Sequence, residues 1–327
     1  MSTSLLDIVA QLDNFPYYEK EPIRSNALLK EYRALKIQGI NEILGYISNT
    51  IVEGTPWPEE HWDTGSPDAV VLKTPPRTPI SARTKIIENA IHRIAQAGND
   101  GILKNWRNER FPVYGPDAEV VMEIERSASA HFGIVTSGVQ MLCYVEDANG
   151  LIRLWIAKRS EKKQTYPGML DCTAAGALTV GDSPRSAVVR EATEEASLDK
   201  TIIKRDIRSA GCISYFHMKG SSSVVGQENP TSLLLPEVEY LYELKLDEGV
   251  VPQPNDSEVE DFRLWTVDEV LEALRNCRFK LNSAVVIIDF FIRHGIVTPQ
   301  TEPNYIEIIA RLHRRLPFPT AQHCSSL

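Results

Sequence analysis

The sequence has few cysteines, and their spacing does not match that of a structural zinc site. The 327 residues include five cysteines, at positions 143, 172, 212, 277 and 324, with no Cys-x-x-Cys pair and no His/Cys cluster. A disulfide framework is not indicated either, because the number is odd and the cysteines are widely separated. We therefore expect free thiols and a reducing compartment.

Long apolar runs and targeting signals are also missing. No stretch of about 20 apolar residues predicts a transmembrane helix, and the start MSTSLLDIVAQLDNFP has no basic segment followed by an apolar one. We therefore expect a cytoplasmic protein without a membrane partner. The end, Cys324-Ser-Ser-Leu327, resembles the peroxisomal Ser-Lys-Leu signal only faintly, because the basic middle residue is absent. Peroxisomal import is the weaker alternative.

The chain lacks the excess positive charge of a typical nucleic-acid-binding protein. It has 35 Lys and Arg against 44 Asp and Glu, and its formal net charge is −9. This balance argues against nucleic acid as a partner. It does not exclude a phosphorylated small substrate, because bound metal ions supply local positive charge. The hydrophobic fraction of 43% is ordinary for a globular protein, and the length accommodates two modest domains.

The first part of the chain has mixed helical and loop patterns. Apolar residues at spacings of three and four in LLDIVAQL predict a helix. Repeated Pro and Gly between Gly54 and Pro79 predict a loop that contains one short strand at AVVL. The segment SARTKIIENAIHRIAQAG predicts a helix that Ser81 caps and Gly98 ends. We expect an N-terminal α+β accessory domain over residues 1–125.

A β-rich pattern follows in the middle of the chain. The runs FGIVTSGVQMLCYVED and LIRLWIAKRS flank Asn149-Gly150, a strong hairpin signal. Further strands are predicted at RSAGCISYFHM and EVEYLYELKL, with a mobile loop, GSSSVVGQENPTSLLLP, between them. A capping box at Thr266–Glu269 and the segment SAVVIIDFFIRHG, closed by Gly295, predict helices. The basic RLHRRLPFP predicts a surface helix with an apolar anchor. We expect a second domain over residues 126–318 and a tail over 319–327.

The segment GDSPRSAVVREATEEASL concentrates negative charge on a predicted helix. Ser183 is a suitable N-cap and Pro184 is a favoured first residue. At about 100° per residue, small apolar residues fall on one arc, and the opposite arc carries Arg190, Glu191, Glu194 and Glu195. Like charges at these spacings destabilise an isolated helix. The cluster is therefore either a solvated acidic face or a site for a divalent cation.

The spacing of these residues resembles the Nudix box, Gly-x5-Glu-x7-Arg-Glu-U-x-Glu-Glu-x-Gly-U, where U is bulky and aliphatic. In this chain the pattern begins at Gly176 and ends at Leu198. Three positions depart from it: Asp182 stands for Glu, Ala192 for a bulky aliphatic residue and Ser197 for Gly. The Arg-Glu-x-x-Glu-Glu core is intact. The departures concern the loop and the helix end rather than the metal chemistry.

This resemblance implies a Nudix hydrolase with an α/β/α sandwich, a mixed sheet and a bound Mg²⁺ or Mn²⁺. The implied substrate is a small-molecule diphosphate linked to another moiety. By the same resemblance Glu194 and Glu195 are metal ligands, Glu191 is a ligand or the catalytic base, and Arg190 orients the glutamates. The resemblance further implies that the main-chain carbonyl of Ala175 is another ligand and that a later glutamate completes the site, with the candidates Glu228, Glu237 and Glu239.

Several segments outside the box resemble one branch of the family, the fungal and plant group related to thiamin pyrophosphokinase. They include KKQTYPGMLD, NDSEVEDFRLWTVDEV and FKLNSAVVIIDFFIRHGIVTP, and the resemblance spans roughly residues 100–318. It implies hydrolysis of thiamin diphosphate and its oxidised analogues to monophosphates. ADP-ribose or dinucleoside polyphosphate hydrolysis is the alternative, as is a non-catalytic module that binds a diphosphate. Cys172 would suit a diphosphate isomerase, but the intact box favours hydrolysis.

Candidate substrate-binding residues lie before and after the box. Lys158, Arg159, Lys162 and Lys163 are cations that could contact phosphate, although each is more often a solvated surface charge. An aromatic wall for the organic part of the substrate is predicted from Trp155, Tyr166, Tyr215 and Phe216, although such residues are more often part of a core. Gly176, Lys158, Arg159, Tyr215 and Phe216 are the substrate-binding residues that we predict. The oligomeric state is not indicated.

Overall fold

A computed structural model describes residues 3–99, 101–163, 165–220, 232–255 and 257–321. The N-terminal part forms a four-stranded sheet in the order β2-β1-β4-β3 and a separate β5-β6 hairpin. Its elements are α1 (Leu5–Leu12), α2 (Pro22–Leu29), β1 (Tyr32–Ile37), β2 (Gly45–Ser48), α3 (Asn49–Gly54), β3 (Trp62–Asp63), β4 (Ala69–Leu72), α4 (Ile80–Gln96), α5 (Gly101–Lys104), β5 (Arg110–Tyr114) and β6 (Val120–Glu125). The strand predicted at AVVL is β4.

Helix α4 packs its apolar face onto the β5-β6 hairpin and the four-stranded sheet. Ile87, Ile91 and Ile94 are fully buried, as their spacing of three and four predicts. The helix does not use Ser81 as its cap, so that prediction is wrong. Pro79 holds the N-cap position without a side-chain hydrogen bond, and Ser81 already lies in the first turn. Gly98 follows the helix end with φ +116°, a conformation that favours glycine.

The second part of the chain builds a seven-stranded mixed sheet. Its strand order is β11-β12-β7-β8-β13, with β10 paired to β7 and β9 paired to β8. The β12-β7 pair is parallel and the other pairs are antiparallel. The elements are a 3₁₀ turn (Arg126–Ala128), α6 (Ser129–Phe132), β7 (Thr136–Glu146), β8 (Ile152–Arg159), β9 (Leu170–Asp171), β10 (Ala174–Ala177), α7 (Pro184–Ala196), α8 (Lys200–Asp206), β11 (Arg208–Lys219), β12 (Leu233–Lys245), β13 (Val259–Thr266), α9 (Val267–Arg275), α10 (Leu281–Arg293) and α11 (Tyr305–Leu312).

Helices cover both faces of this sheet. Side chains alternate along each strand, and apolar side chains point to both faces, so each face needs a covering layer. On β7, Met141 and Cys143 pack in one core with α7 and α8. The neighbouring Leu142 and Tyr144 pack in a second core with α1, α9, α10 and α11. The result is the α/β/α sandwich with a mixed sheet that the sequence predicts. Helix α1 thus belongs to the core of the second sheet, while the division near residue 125 stays a prediction.

The predicted hairpin joins β7 and β8. The carboxylate of Asp147 accepts hydrogen bonds from the main-chain N–H groups of Asn149 at 2.8 Å and Leu151 at 2.9 Å. Gly150 adopts φ +79°, which glycine tolerates without strain. Of the predicted mobile loop, residues 221–231 lie outside the described residues. Its last residues belong to β12, which begins at Leu233.

The C-terminal segment differs from the predicted surface helix. Helix α11 ends at Leu312, and Arg314 is buried, with a 3.0 Å ion pair from its Nη1 to the fully buried Asp13. Its Nη2 donates to the Pro16 carbonyl oxygen at 3.0 Å, and its guanidinium carbon lies 4.0 Å from the Tyr17 ring centroid. The predicted apolar anchor is present, because Phe318 is buried. Residues 313–318 therefore hold the N-terminal segment, through Asp13, Pro16 and Tyr17, against the second sheet.

Candidate active site

Helix α7 places the acidic cluster of the box beside the sheet. Ser183 caps it by accepting a hydrogen bond from the N–H of Ser186 at 3.1 Å, and Pro184 is the first helical residue, as predicted. Val188 and Ala192, on its apolar arc, are fully buried. Ser197, which replaces the glycine of the pattern, ends the helix at φ +53°. A non-glycine residue there costs about 1–2 kcal/mol, so the departure is tolerated with some strain.

The loop before α7 is fastened to the helix by charged side chains. Arg190 binds Asp182 through two hydrogen bonds of 3.0 and 3.3 Å and binds Glu191 at 3.1 Å. Asp182 also accepts a 2.9 Å bond from the Thr179 hydroxyl. Burial raises the pKa of Asp182, but the hydrogen bonds from Arg190 and Thr179 outweigh burial and hold it below its usual value. The Asp in place of Glu thus keeps an anionic partner for Arg190.

Two glutamates of α7, Glu191 and Glu195, lie in surroundings that disfavour their charge. Glu195 accepts a 2.9 Å hydrogen bond from the Ala175 N–H, and burial raises the pKa of Glu195 to about 8. Burial also raises the pKa of Glu191, although Arg190 opposes the shift. A nearby divalent cation would favour the charged form of both carboxyl groups. Glu194 is exposed and lines the same cavity.

Strand β12 contributes two more glutamates, Glu237 and Glu239, next to those of α7. Glu237 accepts a hydrogen bond from the Tyr215 hydroxyl, and Glu239 Oε1 accepts bonds from Gln140 at 3.2 Å and Asn282 at 3.1 Å. Burial raises the pKa of Glu239 to about 8. Its Oε2 is buried without a hydrogen-bond partner among the described residues. A buried carboxylate oxygen without a partner is costly unless a cation or proton joins it. Glu228, the third candidate, lies outside the described residues.

One cavity of about 840 Å³ joins these elements. Most of the residues predicted for the site line it, namely Arg159, Lys162, Lys163, Ala175, Gly176, Arg190, Glu191, Glu194, Glu195, Glu237 and Glu239. Several residues that the sequence did not single out line it as well, including Arg107, Glu109, Phe111, Arg126, Gln140, Glu258, Lys280 and Asn282. Carboxylates and cations therefore share one polar cavity.

Three of the predicted substrate-binding residues, Lys158, Tyr215 and Phe216, do not line the cavity. Phe216 is 1% exposed and stacks on Phe15 at a centroid distance of 4.2 Å, so it belongs to a core cluster. Lys158 does not line the cavity, and its Nζ pairs with Glu260 at 2.9 Å. Successive side chains of a strand point to opposite faces of the sheet. Lys158 therefore lies on the face opposite to Arg159, and Phe216 lies on the face opposite to Tyr215.

The other three aromatic residues do not form the predicted wall either. Tyr215 is buried beside the cavity and supports Glu237 by its hydrogen bond. Trp155 is buried in the core below α7. Tyr166 is exposed and does not line the cavity, although its carbonyl oxygen accepts a bond from Arg159 at 3.1 Å. Phe111, from the N-terminal part, is an aromatic residue that does line it.

A buried ionic cluster holds two cations at the cavity. Asp171 pairs with Arg159 Nη1 at 2.6 Å and lies 3.8 Å from the Nζ of Lys280. Burial raises the pKa of Asp171, but Lys280 and Arg159 outweigh it and hold the pKa below the usual value. Burial lowers the pKa of Lys280, but Asp171 and Glu239 outweigh it, so its ammonium group stays charged. No short-range signal in the sequence connects Lys280 with residues a hundred positions earlier.

The donor set fits a hard divalent cation. Such ions prefer carboxylate and carbonyl oxygens, and the buried carboxyls of Glu195 and Glu239 have raised pKa values. Glu239 Oε2 and the Gly176 carbonyl oxygen both lie within 3.1 Å of the point where a Cβ on Gly138 would stand. As the side chains are placed, however, no three acidic, His or Cys groups in the described ranges converge closely enough to enclose an ion.

Comparisons with known proteins support the family resemblance. The NUDIX domain family matches residues 136–283, and a domain of unknown function, DUF4743, matches residues 18–136. An uncharacterized protein of Saccharomyces cerevisiae, YJR142W, is 39% identical over 73% of this chain and 70% of its own length. Nudix hydrolases 20 and 24 of Arabidopsis thaliana, both named chloroplastic, are 37% and 36% identical. These matches cover 71% and 68% of this chain.

The chain spans less than two thirds of the length of the Arabidopsis relatives, at 58% and 57%. Within the part of the chain that the structure describes, no helix is long and apolar enough to cross a membrane. The box, the NUDIX match and the relatives lead to one assignment, and they support the class of enzyme predicted from the sequence, a hydrolase of phosphoric anhydride bonds. The chain belongs to the Nudix hydrolase family.

Proposed function

We propose that the chain hydrolyses the diphosphate bond of a small molecule in a reaction that depends on Mg²⁺ or Mn²⁺. One observation carries this proposal: the three glutamates of α7 line the same cavity as Lys162, Lys163 and Lys280. Carboxylates suit a divalent cation, and lysines bind phosphate oxygens as point charges. A merely solvated acidic helix would not require cations around the same cavity.

The proposed ligands of the metal are Glu191, Glu194 and Glu195, with the main-chain carbonyl of Ala175. When bound, the metal neutralises a diphosphate and lowers the pKa of an attacking water. Of the later glutamates, Glu239 is the better candidate to complete the site, because its Oε2 lacks a partner among the described residues whereas Glu237 is held by Tyr215.

The remaining roles belong to residues that hold others in place. Arg190 fixes Glu191 and ties the loop before α7 to the helix through Asp182. Arg159 and Lys280, held by Asp171, present positive charge to the phosphate groups. Glu191 serves as a ligand or as the base that accepts a proton from water.

The finer proposal is that the substrate is thiamin diphosphate or an oxidised analogue such as oxothiamin or oxythiamin diphosphate. Its support is the sequence resemblance over residues 100–318, together with apolar residues such as Phe111, Ile134 and Leu235 that line a mostly polar cavity. ADP-ribose or a dinucleoside polyphosphate is the alternative substrate, and a non-catalytic diphosphate-binding module is the alternative role. A cytoplasmic location stays a prediction, and the peroxisomal signal considered for residues 325–327 lies outside the described residues.

The direct test is phosphate release from a panel of diphosphates in the presence of Mg²⁺. The panel contains thiamin, oxothiamin and oxythiamin diphosphates, ADP-ribose, NADH and a diadenosine polyphosphate. We expect turnover of the thiamin compounds, loss of turnover in EDTA and recovery with added Mg²⁺. Turnover of the dinucleotides alone would contradict the thiamin assignment, and no turnover of any compound would contradict hydrolysis.

A further inference from the structure

One wall of the cavity comes from residues outside the NUDIX match. Arg107, Glu109, Phe111, Arg126 and Ser129 all precede residue 136, and all line the cavity that contains the glutamates of α7. They belong to the β5-β6 hairpin and the segments next to it. The DUF4743 region, for which no role is assigned, therefore contributes directly to the candidate active site.

The backbone at this wall is fixed by three hydrogen bonds. The N–H of Arg126 donates to the Glu109 carbonyl oxygen at 2.8 Å, which extends the pairing of β5 and β6 by one residue at the end next to the cavity. The carboxylate of Glu125, which is 2% exposed, accepts bonds from the N–H groups of Arg107 at 3.0 Å and Ser127 at 3.4 Å. A wall that is held in this way presents its side chains in one arrangement, which selective binding requires.

A guanidinium–carboxylate pair stands on this wall. Arg126 Nη1 lies 2.6 Å from Glu109 Oε2, and the guanidinium carbon of Arg126 lies 6.0 Å from the Phe111 ring centroid. The two charged side chains are 36% and 42% exposed, so each keeps donor or acceptor capacity that faces solvent. The Phe111 ring, which is 6% exposed at the cavity, thus adjoins one strong donor and one strong acceptor. The cations at Asp171, in contrast, supply donors alone.

We propose that Arg126 and Glu109 are specificity-determining residues that recognise the organic moiety of the substrate, a nitrogen heterocycle with a hydrogen-bond donor and an acceptor on one edge. The inference rests on the proposed function, in which the lysines and the metal-binding glutamates of the NUDIX domain hold the diphosphate of the substrate. An alkyl group in the same place would cover the ion pair without offering it partners, which costs binding free energy. The N-terminal region thereby selects among diphosphates.

The test compares heterocyclic with alkyl substrates in Arg126→Gln and Glu109→Gln. Arg110→Gln is the matched control, because Arg110 lies on the same hairpin, pairs with Glu88 and Glu123, and does not line this cavity. Dissociation constants for thiamin monophosphate, AMP and geranyl monophosphate are measured by calorimetry, which needs no turnover. Values of kcat/KM for the corresponding diphosphates are measured in parallel, and circular dichroism checks that each variant is folded.

We expect each cavity variant to lose about tenfold or more in affinity for the heterocyclic monophosphates, with geranyl monophosphate unchanged and Arg110→Gln equal to wild type. An equal loss on all three ligands, no loss on any, or the same loss in the control would overturn the inference. If selective binding is seen but no diphosphate is hydrolysed, the recognition stands and the proposed hydrolysis fails.

Discussion

The carboxylate of Glu191 lies directly against the backbone of Gly176. A Cβ built on Gly176 would stand 2.3 Å from Glu191 Oε1 and 2.2 Å from its Cδ. Gly176 lies in β10 without a positive φ, so its lack of a side chain is needed for space and not for backbone conformation. The first glycine of the box thus makes room for its first glutamate.

Gly176→Ala should therefore impair activity more than stability. The methyl group would displace the Glu191 side chain and no backbone atom, which costs little folding free energy but moves a proposed ligand or base. We expect kcat to fall by about tenfold or more, with a thermal midpoint close to wild type. Gly249→Ala is the control, because a Cβ there meets nothing within 4 Å. Full activity in Gly176→Ala would contradict the position assigned to Glu191.

Lys280→Gln should weaken substrate binding. Lys280 lines the cavity and is held charged by Asp171 and Glu239, so its ammonium group is available to phosphate oxygens. We expect KM for the hydrolysed diphosphate to rise by about tenfold and Lys280→Arg to restore part of the affinity. Lys158→Gln removes a cation outside the cavity and should leave KM unchanged. An unchanged KM in Lys280→Gln would exclude this phosphate contact.

Asp171→Asn should destabilise the fold in a way that depends on pH. Removing one partner of a buried ion pair costs about 3–5 kcal/mol. The folded-state pKa of Asp171 lies below the unfolded value of 3.8, so its stabilising contribution is present above that value and is lost as pH falls through the folded pKa. Urea unfolding of both proteins should therefore show a constant difference near neutral pH that shrinks below pH 3.8. A difference independent of pH would contradict the charged state of Asp171.

Arg314→Ala should destabilise the chain, because the fully buried Asp13 loses its 3.0 Å ion pair and keeps only the longer 3.7 Å pair with Arg311. We expect the free energy of unfolding to fall by about 3–5 kcal/mol, measured by urea denaturation. The neighbouring Arg315 is exposed, so Arg315→Ala should leave the urea midpoint unchanged. Equal effects of the two substitutions would mean that the contact between Arg314 and Asp13 does not stabilise the position of the N-terminal segment.

The parts of the site that the sequence predicts are those that depend on residues close together in the sequence. The Ser183 cap, the Pro184 start and the arc of glutamates each depend on residues within a few turns of one helix. The sandwich fold follows from alternating apolar residues on predicted strands and from the family resemblance. The helix and strand patterns are local signals, and the structure agrees with them and with the predicted fold.

The parts that the sequence does not predict depend on distant segments. Lys280 and Asp171 meet only after the sheet is formed, and Arg126 reaches the cavity from the other side of the NUDIX boundary. The errors at Lys158 and Phe216 have a simpler cause. Each is adjacent to a residue that serves the site, and strand alternation allows only one of two neighbours to face it. Applying that alternation to LIRLWIAKRS and CISYFHM would have excluded one member of each pair.

The central claim is that the carboxylates of α7 hold a divalent cation. Mn²⁺ binding by electron paramagnetic resonance, without substrate, tests it most directly in wild type, Glu195→Gln and Glu260→Gln, a control glutamate whose side chain pairs with Lys158 outside the cavity. We predict saturable Mn²⁺ binding that weakens by about tenfold or more in Glu195→Gln and is unchanged in Glu260→Gln. Wild-type affinity in Glu195→Gln would contradict the account.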